Sequence, residues 1–201
     1  GRATLQGPNR IHIHTRDGKG EDVPWDRLIL ATGSRPGPLP GLPFNGRTIL
    51  SSDHALGLER VPASMLIVGG GVIGCEFASI FSGLGSAVTV VEAMPRLLPL
   101  PGIDEDCSKT LQREMKKRKI RVKTNAGIAG VHEKDGQCVV SIGPSPFHRN
   151  SKTSGPASTE RVETECVLVC VGRQPNTEGL GLESLGMAPE PGGWIPADSR
   201  M

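Results

Sequence analysis

Met65-Leu66-Ile67-Val68-Gly69-Gly70-Gly71-Val72-Ile73-Gly74 is the stretch on which the reading of this chain turns. Its first four residues are apolar without polar alternation, the pattern of a central strand covered on both faces. A Gly-x-Gly-x-x-Gly turn follows at once, formed by Gly69, Gly71 and Gly74. Beyond it Val72, Ile73, Phe77, Ile80, Phe81 and Leu84 recur at helical spacing, which predicts a helix over 72–84. Ala87-Val88-Thr89-Val90-Val91 reads as the next strand, and it ends in Glu92. Strand, glycine turn, helix and acid-terminated strand together make a dinucleotide-binding unit.

Each part of that unit has a physical reason. The first glycine permits a tight turn after the strand. The second lets a pyrophosphate approach the backbone, and the third allows close helix–strand packing. The helix N-terminus turns unpaired N–H groups and partial positive charge toward the phosphates. Gly70, Val72 and Ile73 fill the remaining positions of the turn. Glu92 lies 18 residues past Gly74, near the expected spacing of about 20. As a ligand, its carboxylate accepts hydrogen bonds from both ribose hydroxyls and repels a 2′-phosphate, which favours NAD over NADP; the alternative is a solvated strand end. Arg96 is a mild counter-signal for NADP. Glu76 is read in the first turn of the helix, either as a complement to the helix dipole or as a carboxylate near the nicotinamide.

Composition narrows the remaining classes. The 201 residues suit one domain and part of another. Apolar residues make up 36%, and 27 Gly raise the tally to that of globular chains. With 23 basic and 21 acidic residues the net charge is +2, which offers no electrostatic case for nucleic acid or a membrane surface. No Tyr, two Trp and four Phe leave no platform for stacking bases. No apolar run approaches the ~18 residues of a transmembrane helix. The N-terminus is not a signal peptide, lacks a starting Met and opens close to a strand, so a fragment is expected. The five cysteines, Cys75, Cys107, Cys138, Cys166 and Cys170, form no Cys-x-x-Cys and no paired Cys/His cluster. That fits a reducing, cytoplasmic setting and no metal site.

Outward from the glycine turn, residues 10–15 alternate as a half-buried strand, and Asp17-Gly18-Lys19-Gly20 signals a turn. Residues 25–31 read as a second, buried strand stopping at Thr32-Gly33-Ser34. Residues 35–46, with four Pro and three Gly, read as a linker and domain boundary. Asp104-Glu105-Asp106 opens a second helix that Lys116-Lys117-Arg118-Lys119 closes, charges that complement the macrodipole. A short strand follows at 120–123, then antiparallel strands over 128–142 and 158–171. Residues 143–157, rich in Ser, Pro and Gly, read as a poorly ordered hairpin loop. The last 25 residues show no convincing helix. The expected fold is α/β: a Rossmann-like βαβ domain with a parallel sheet, plus an antiparallel β-meander.

Four motifs in order then resemble a family. They are Ala31-Thr32-Gly33-Ser34, the turn from Gly69 through Glu76, Val90-Val91-Glu92, and Gly172-Arg173-Gln174-Pro175-Asn176. Together they resemble the flavin-dependent pyridine nucleotide–disulfide oxidoreductases, with the dihydrolipoamide-oxidising members closest. The resemblance implies an FAD domain interrupted by an NAD domain. Residues 1–38 would end the first FAD-domain segment, 39–61 link, 62–172 bind NAD, and 173–201 return into the FAD domain. It implies NAD contacts at the glycine turn, Glu92, Ile128 and Gly172, FAD contacts at Thr32, Gly33 and Ser34, and support of the nicotinamide by Glu76.

For the whole protein the resemblance implies a homodimeric flavoenzyme that passes electrons from a dithiol such as dihydrolipoamide to NAD, and possible membership of a 2-oxoacid dehydrogenase complex. The family's redox pair, two Cys separated by four residues, is missing, as are its N-terminal FAD fingerprint and its C-terminal dimerisation domain with the His–Glu pair. Cys166 and Cys170 have three residues between them and read as small hydrophobes on one face of a buried strand. No catalytic residue is therefore expected in this chain, which is read as binding NAD(H) without turnover. A mercuric reductase, a glutathione reductase-like enzyme or a soluble transhydrogenase shares the four motifs. A non-catalytic nucleotide-binding domain fits the fingerprint as well.

Overall fold

The computed structural model describes residues 1–147 and 159–199. The chain divides into two compact units: Gly1–Arg35 with Arg173–Met201, and Pro36–Gly172.

In the first unit, β1 (Arg2–Leu5), β2 (Arg10–His14) and β3 (Gly20–Pro24) form an antiparallel meander in that order. His12 pairs with Asp22, and Leu5 with Ile11. The turn predicted at Asp17–Gly20 joins β2 to β3. Residues 25–33 form no strand. The apolar run there has no neighbouring strand to complete a ladder, and Ile29 is 88% exposed. The short β4 (Ser34–Pro36) pairs instead with a strand near the end of the chain.

The second unit is built on a five-stranded parallel sheet. Its edge strand β5 (Ile49–Leu50) and the helix α1 (Ser52–Leu56) come from residues expected to serve only as linker. Asn45 explains why this Pro- and Gly-rich stretch becomes ordered. Its side-chain oxygen accepts from the N–H groups of Arg47, Thr48 and Ile49 at 2.9, 3.0 and 2.8 Å, setting the turn into the strand. Next come β6 (Ser64–Val68), α2 (Val72–Gly83), β7 (Ala87–Val91), α3 (Glu105–Lys117) and β8 (Arg121–Lys123). The meander β9 (Ala126–Lys134), β10 (Gln137–Pro144) and β11 (Glu160–Thr164) precedes β12 (Cys166–Val169). The sheet order is β5-β12-β6-β7-β8, all pairs parallel, and the meander order is β11-β10-β9.

The stretch 158–171, expected as antiparallel, therefore splits. Residues 160–164 pair antiparallel with β10, and 166–169 enter the parallel sheet. Of the expected hairpin loop, residues 143 and 144 belong to β10 and 148–157 lie outside the described residues. After β12 the chain forms β13 (Arg173–Pro175), the partner of β4, and a 3-10 turn at Leu182–Leu185.

The parallel strands are apolar on both faces because both are covered. Met65 and Ile67, Val88 and Val90, and Cys166 and Leu168 point into one cluster with Cys75, Phe77, Ala78 and Phe81 of α2 and Met115 of α3. Leu66 and Val68, Val91, and Val167 and Val169 point into another with Cys138, Val140, Ile142 and Val162 of the meander. Helices thus cover one face and the meander the other. Burial of each such aliphatic side chain contributes roughly 1.5–3 kcal/mol. Of the apolar residues at helical spacing in α2, Phe77 and Phe81 are buried, whereas Ile80 and Leu84 are 51% and 58% exposed. The buried face also takes Gly74, Cys75 and Ala78, because the helix lies too close to the sheet for larger side chains. Among the described residues no helix is long and apolar enough to cross a membrane.

Glu165 ties β12 to β6 at the start of their pairing. Its carboxylate accepts from the Ala63 N–H at 2.7 Å and meets Arg60, and its own N–H donates to Ser64 Oγ at 3.0 Å. The backbone bond first, and Arg60 second, hold this carboxyl below its ordinary value of 4.5. Its stabilisation is therefore complete above about pH 5 and is lost as pH falls through the depressed value. Glu165→Gln is expected to reduce unfolding free energy by about 1 kcal/mol at pH 7. Urea titrations at pH 7 and pH 3 should show that difference shrinking at the lower pH.

Candidate dinucleotide site

The candidate site lies at the carboxyl ends of β6, β7 and β12, where open parallel sheets hold their ligands. The three glycines of the turn have different surroundings. Gly69 leaves β6 with φ +105°, and a β-carbon there would sit 2.4 Å from the Cys170 carbonyl oxygen. A β-carbon at Gly74 would sit 1.9 Å from the Gly69 carbonyl oxygen. At Gly71, the N-cap of α2, nothing lies within 4 Å of that position. The outer two glycines are thus packed against backbone, and the middle one faces open space. No side chain caps α2, so the N–H groups of its first turn have no intrahelical acceptor.

Glu92 is not a solvated strand end. It is only 7% exposed, and its carboxylate grips the turn. The Gly70 N–H donates to Oε2 at 2.5 Å and the Met94 N–H to Oε1 at 2.7 Å. The Gly69 N–H donates to the Val91 carbonyl at 2.8 Å, so turn and strand end are joined twice. The Ala126 N–H donates to the Glu92 carbonyl at 3.0 Å, which brings the start of β9 to the same place. Ile128 follows two residues later, half-buried opposite Ile142 beside a bulge at Ala129 of β9. Gly172, φ +137°, comes just after β12, and its carbonyl accepts from the Gly37 N–H at 2.9 Å.

Other candidate residues stand differently from expectation. Glu76 is exposed and is the fifth residue of α2, in its second turn, because the helix begins at Val72. Arg96 does not face outward as a phosphate ligand. Its guanidinium donates to the carbonyls of Leu98, Leu100 and Ile103 at 3.0, 3.3 and 2.9 Å and to Ser108 Oγ at 2.6 Å. It thereby braces the loop between β7 and α3. Leu98 in that loop has φ +48°, and its N–H donates to the Gly70 carbonyl at 2.8 Å. Nothing in the sequence marks this leucine, since only the fold places it over the glycine turn.

In the other unit, Thr32, Gly33 and Ser34 are held by the end of the chain. The Asn176 side chain donates to the Thr32 carbonyl at 3.1 Å, and its N–H to the Gly33 carbonyl at 3.0 Å. Arg173 donates to Ser34 Oγ at 2.7 Å and to its carbonyl at 2.6 Å. The Gly-Arg-Gln-Pro-Asn motif therefore includes two positioning side chains that sequence reading left without a role.

The cysteines are all unpaired. Cys166 and Cys170 share the helix-side cluster with Cys75. Burial above all pushes the Cys75 thiol up to about 11, and the Cys166 and Cys170 thiols to about 12.

Two outcomes follow from these surroundings. Gly74→Ala forces backbone apart and should lower unfolding free energy by at least about 1–3 kcal/mol, whereas Gly71→Ala should stay within about 1 kcal/mol of the parent. Thermal or urea unfolding of the two variants separates them. With a chromogenic disulfide at pH 8, only Cys107, the exposed cysteine, should react rapidly in the folded chain. Cys107→Ser should remove that fast phase.

Comparison with known proteins agrees with this fold. The family model described as pyridine nucleotide-disulphide oxidoreductase matches residues 3–201. A dihydrolipoamide dehydrogenase of Chaetomium thermophilum is 37% identical over 200 residues, covering 100% of this chain and 38% of the relative. Dihydrolipoyl dehydrogenase 3 of Pseudomonas aeruginosa is 36% identical over 195 residues, covering 97% of this chain and 39% of the relative. Among solved structures, the HOCl-induced flavoprotein disulfide reductase RclA of Escherichia coli superposes with a TM-score of 0.79 at 25% identity, covering 100% of this chain and 41% of that one. The chain spans about two fifths of the length of the curated relatives it matches. With nearly every residue inside the family match, this chain belongs to the pyridine nucleotide-disulphide oxidoreductase family.

Proposed function

We propose that residues 62–172 bind NAD(H) at the glycine turn, as the pyridine-nucleotide domain of a flavoenzyme of the dihydrolipoamide dehydrogenase type. The observation that carries this reading is the contrast among the glycines. Gly69 and Gly74 are packed against backbone, while Gly71 opens onto free space at an uncapped helix N-terminus. A diphosphate fits that opening: the N–H groups and helix dipole supply donors and positive potential.

Glu92 would accept from the adenosine ribose with the lone pairs that its two backbone bonds leave unused. The same carboxylate disfavours a 2′-phosphate, and Arg96, committed to the loop, is not available to offset it. Ile128 and Gly172 would flank the nucleotide, and Glu76 would face its nicotinamide end. Bound NAD supplies a ring that accepts a hydride.

Thr32, Gly33 and Ser34, held by Arg173 and Asn176, would face FAD in the other unit. In this reading residues 1–38 and 173–201 belong to the FAD domain and 62–172 to the NAD domain. For the whole protein the reaction is oxidation of a dithiol to a disulfide. Two electrons and one proton pass to NAD as hydride, and the second proton goes to solvent. The redox cysteines for it lie outside this chain, which on its own binds without turnover. A homodimer, association with a 2-oxoacid dehydrogenase complex and a cytoplasmic location complete the proposal. The five unpaired thiols support a reducing compartment.

Titration of the chain with NADH and NADPH, followed by nicotinamide fluorescence, tests the reading. Saturable NADH binding at least ten-fold tighter than NADPH binding is expected, about 1.4 kcal/mol of preference. Glu92→Ala should weaken NADH and abolish the preference, and Gly71→Ala should weaken both nucleotides. No saturable binding by the folded chain, or tighter binding of NADPH, would overturn the assignment.

A further inference from the structure

The meander β1–β3 carries a pair of histidines that the proposed nucleotide site does not use. His12 and His14 are alternate residues of β2 and so share one face of the sheet. Their ring centroids are 4.5 Å apart and their planes 71° apart. His12 is oriented from the next strand. Its Nδ1 lies 2.6 Å from Asp22 Oδ1, directly across the ladder. A carboxylate on one ring nitrogen fixes the tautomer with the proton on Nδ1 and leaves Nε2 as the free lone pair. That nitrogen lies over Gly20, where a β-carbon would come within 2.4 Å of it. Gly20 is the register partner of His14, so the free nitrogen of His12 is brought beside the His14 position, and no side chain from β3 fills the space.

We infer that His12 and His14 form a two-imidazole chelate for a divalent transition ion of tetragonal preference, Ni(II) or Cu(II), with solvent completing the coordination. The spacing carries the inference. A ligating nitrogen stands about 2.0–2.1 Å from the metal, which puts each ring centre about 3.2 Å from it. Two such rings in cis positions of a square plane stand about 4.5 Å apart, and at a tetrahedral angle about 5.2 Å. The observed 4.5 Å matches the first. Imidazole is a suitable donor for these ions.

The charges around the pair are mixed. Arg10 lies 3.7 Å from the far oxygen of Asp22. Arg2 is the register partner of His14, but its guanidinium extends to Gly179. Thr4, across from His12, is neutral. The Asp22 carboxylate therefore orients the His12 ring and balances the nearby guanidinium. Among the described residues no group of three or more His, Cys, Asp and Glu is placed to hold a metal. The inferred site is an open two-ligand chelate and not a closed structural site.

Calorimetric titration with NiCl2 tests it, using the full chain with Cys107→Ser so that no exposed thiol competes. One histidine-dependent equivalent is expected. His14→Gln, at an exposed position, should weaken it at least ten-fold, and His12→Gln likewise. Asp22→Asn keeps both imidazoles and should weaken it by about 10-fold or more. In a parallel NMR titration, substoichiometric Cu(II) should broaden the imidazole signals of His12 and His14 before those of His54, His132 and His148. That measurement stands even where His12→Gln disturbs folding. Unchanged Ni(II) affinity in His14→Gln, or uniform broadening of all five histidines, overturns the inference.

Discussion

A β-carbon on residue 74 would lie 1.9 Å from the Gly69 carbonyl oxygen, closer than any two such atoms can stand. That contact draws the start of α2 down onto the end of β6. Close approach makes the first turn of the helix end in a notch instead of a packed junction. It also selects what the helix can bury: Gly74, Cys75 and Ala78 fit under it beside Phe77 and Phe81, while Ile80 and Leu84 remain outside. The open space at Gly71 is the other side of the same geometry.

The notch is held in shape by polar contacts from the neighbouring strand. Glu92 ends β7 with its carboxylate on the Gly70 and Met94 N–H groups, so a buried acid is satisfied by backbone donors. Leu98 returns over the turn to donate to the Gly70 carbonyl, and Arg96 fastens the following loop through four acceptors. The residue proposed to select a ribose thus also maintains the shape of the notch. Arg173 and Asn176 do comparable work in the other unit, where they hold Thr32–Ser34 by its carbonyls and hydroxyl.

Cysteine shows how burial changes the meaning of a residue. Cys166 and Cys170 stand close in sequence, but with three residues between them. In the fold they are wall residues of the helix-side cluster, and exclusion from water raises their thiols far above neutral pH. They behave as small apolar side chains.

The sequence by itself determined the α/β class, the central strand, the glycine turn, α2, β7 with its terminal acid, and α3 with its charged ends. These are local features: apolar runs, helical periodicity and glycines at fixed spacing act within one or two elements. It pointed to Gly69, Gly71, Gly74 and Glu92 as a set because their spacing repeats the geometry of one βαβ unit. Tertiary structure alone decided the rest. Residues 25–31 look like a buried strand, but a strand needs a neighbour, and none among the described residues pairs with them. Residues 49–56 look like linker, yet Asn45 and the free edge of β12 turn them into β5 and α1. The partners of Arg96, Arg173 and Asn176 lie in loops or distant segments that no sequence period connects. Which groups the Glu92 carboxylate holds depended on how two strand ends meet, a long-range distance that composition and spacing do not encode.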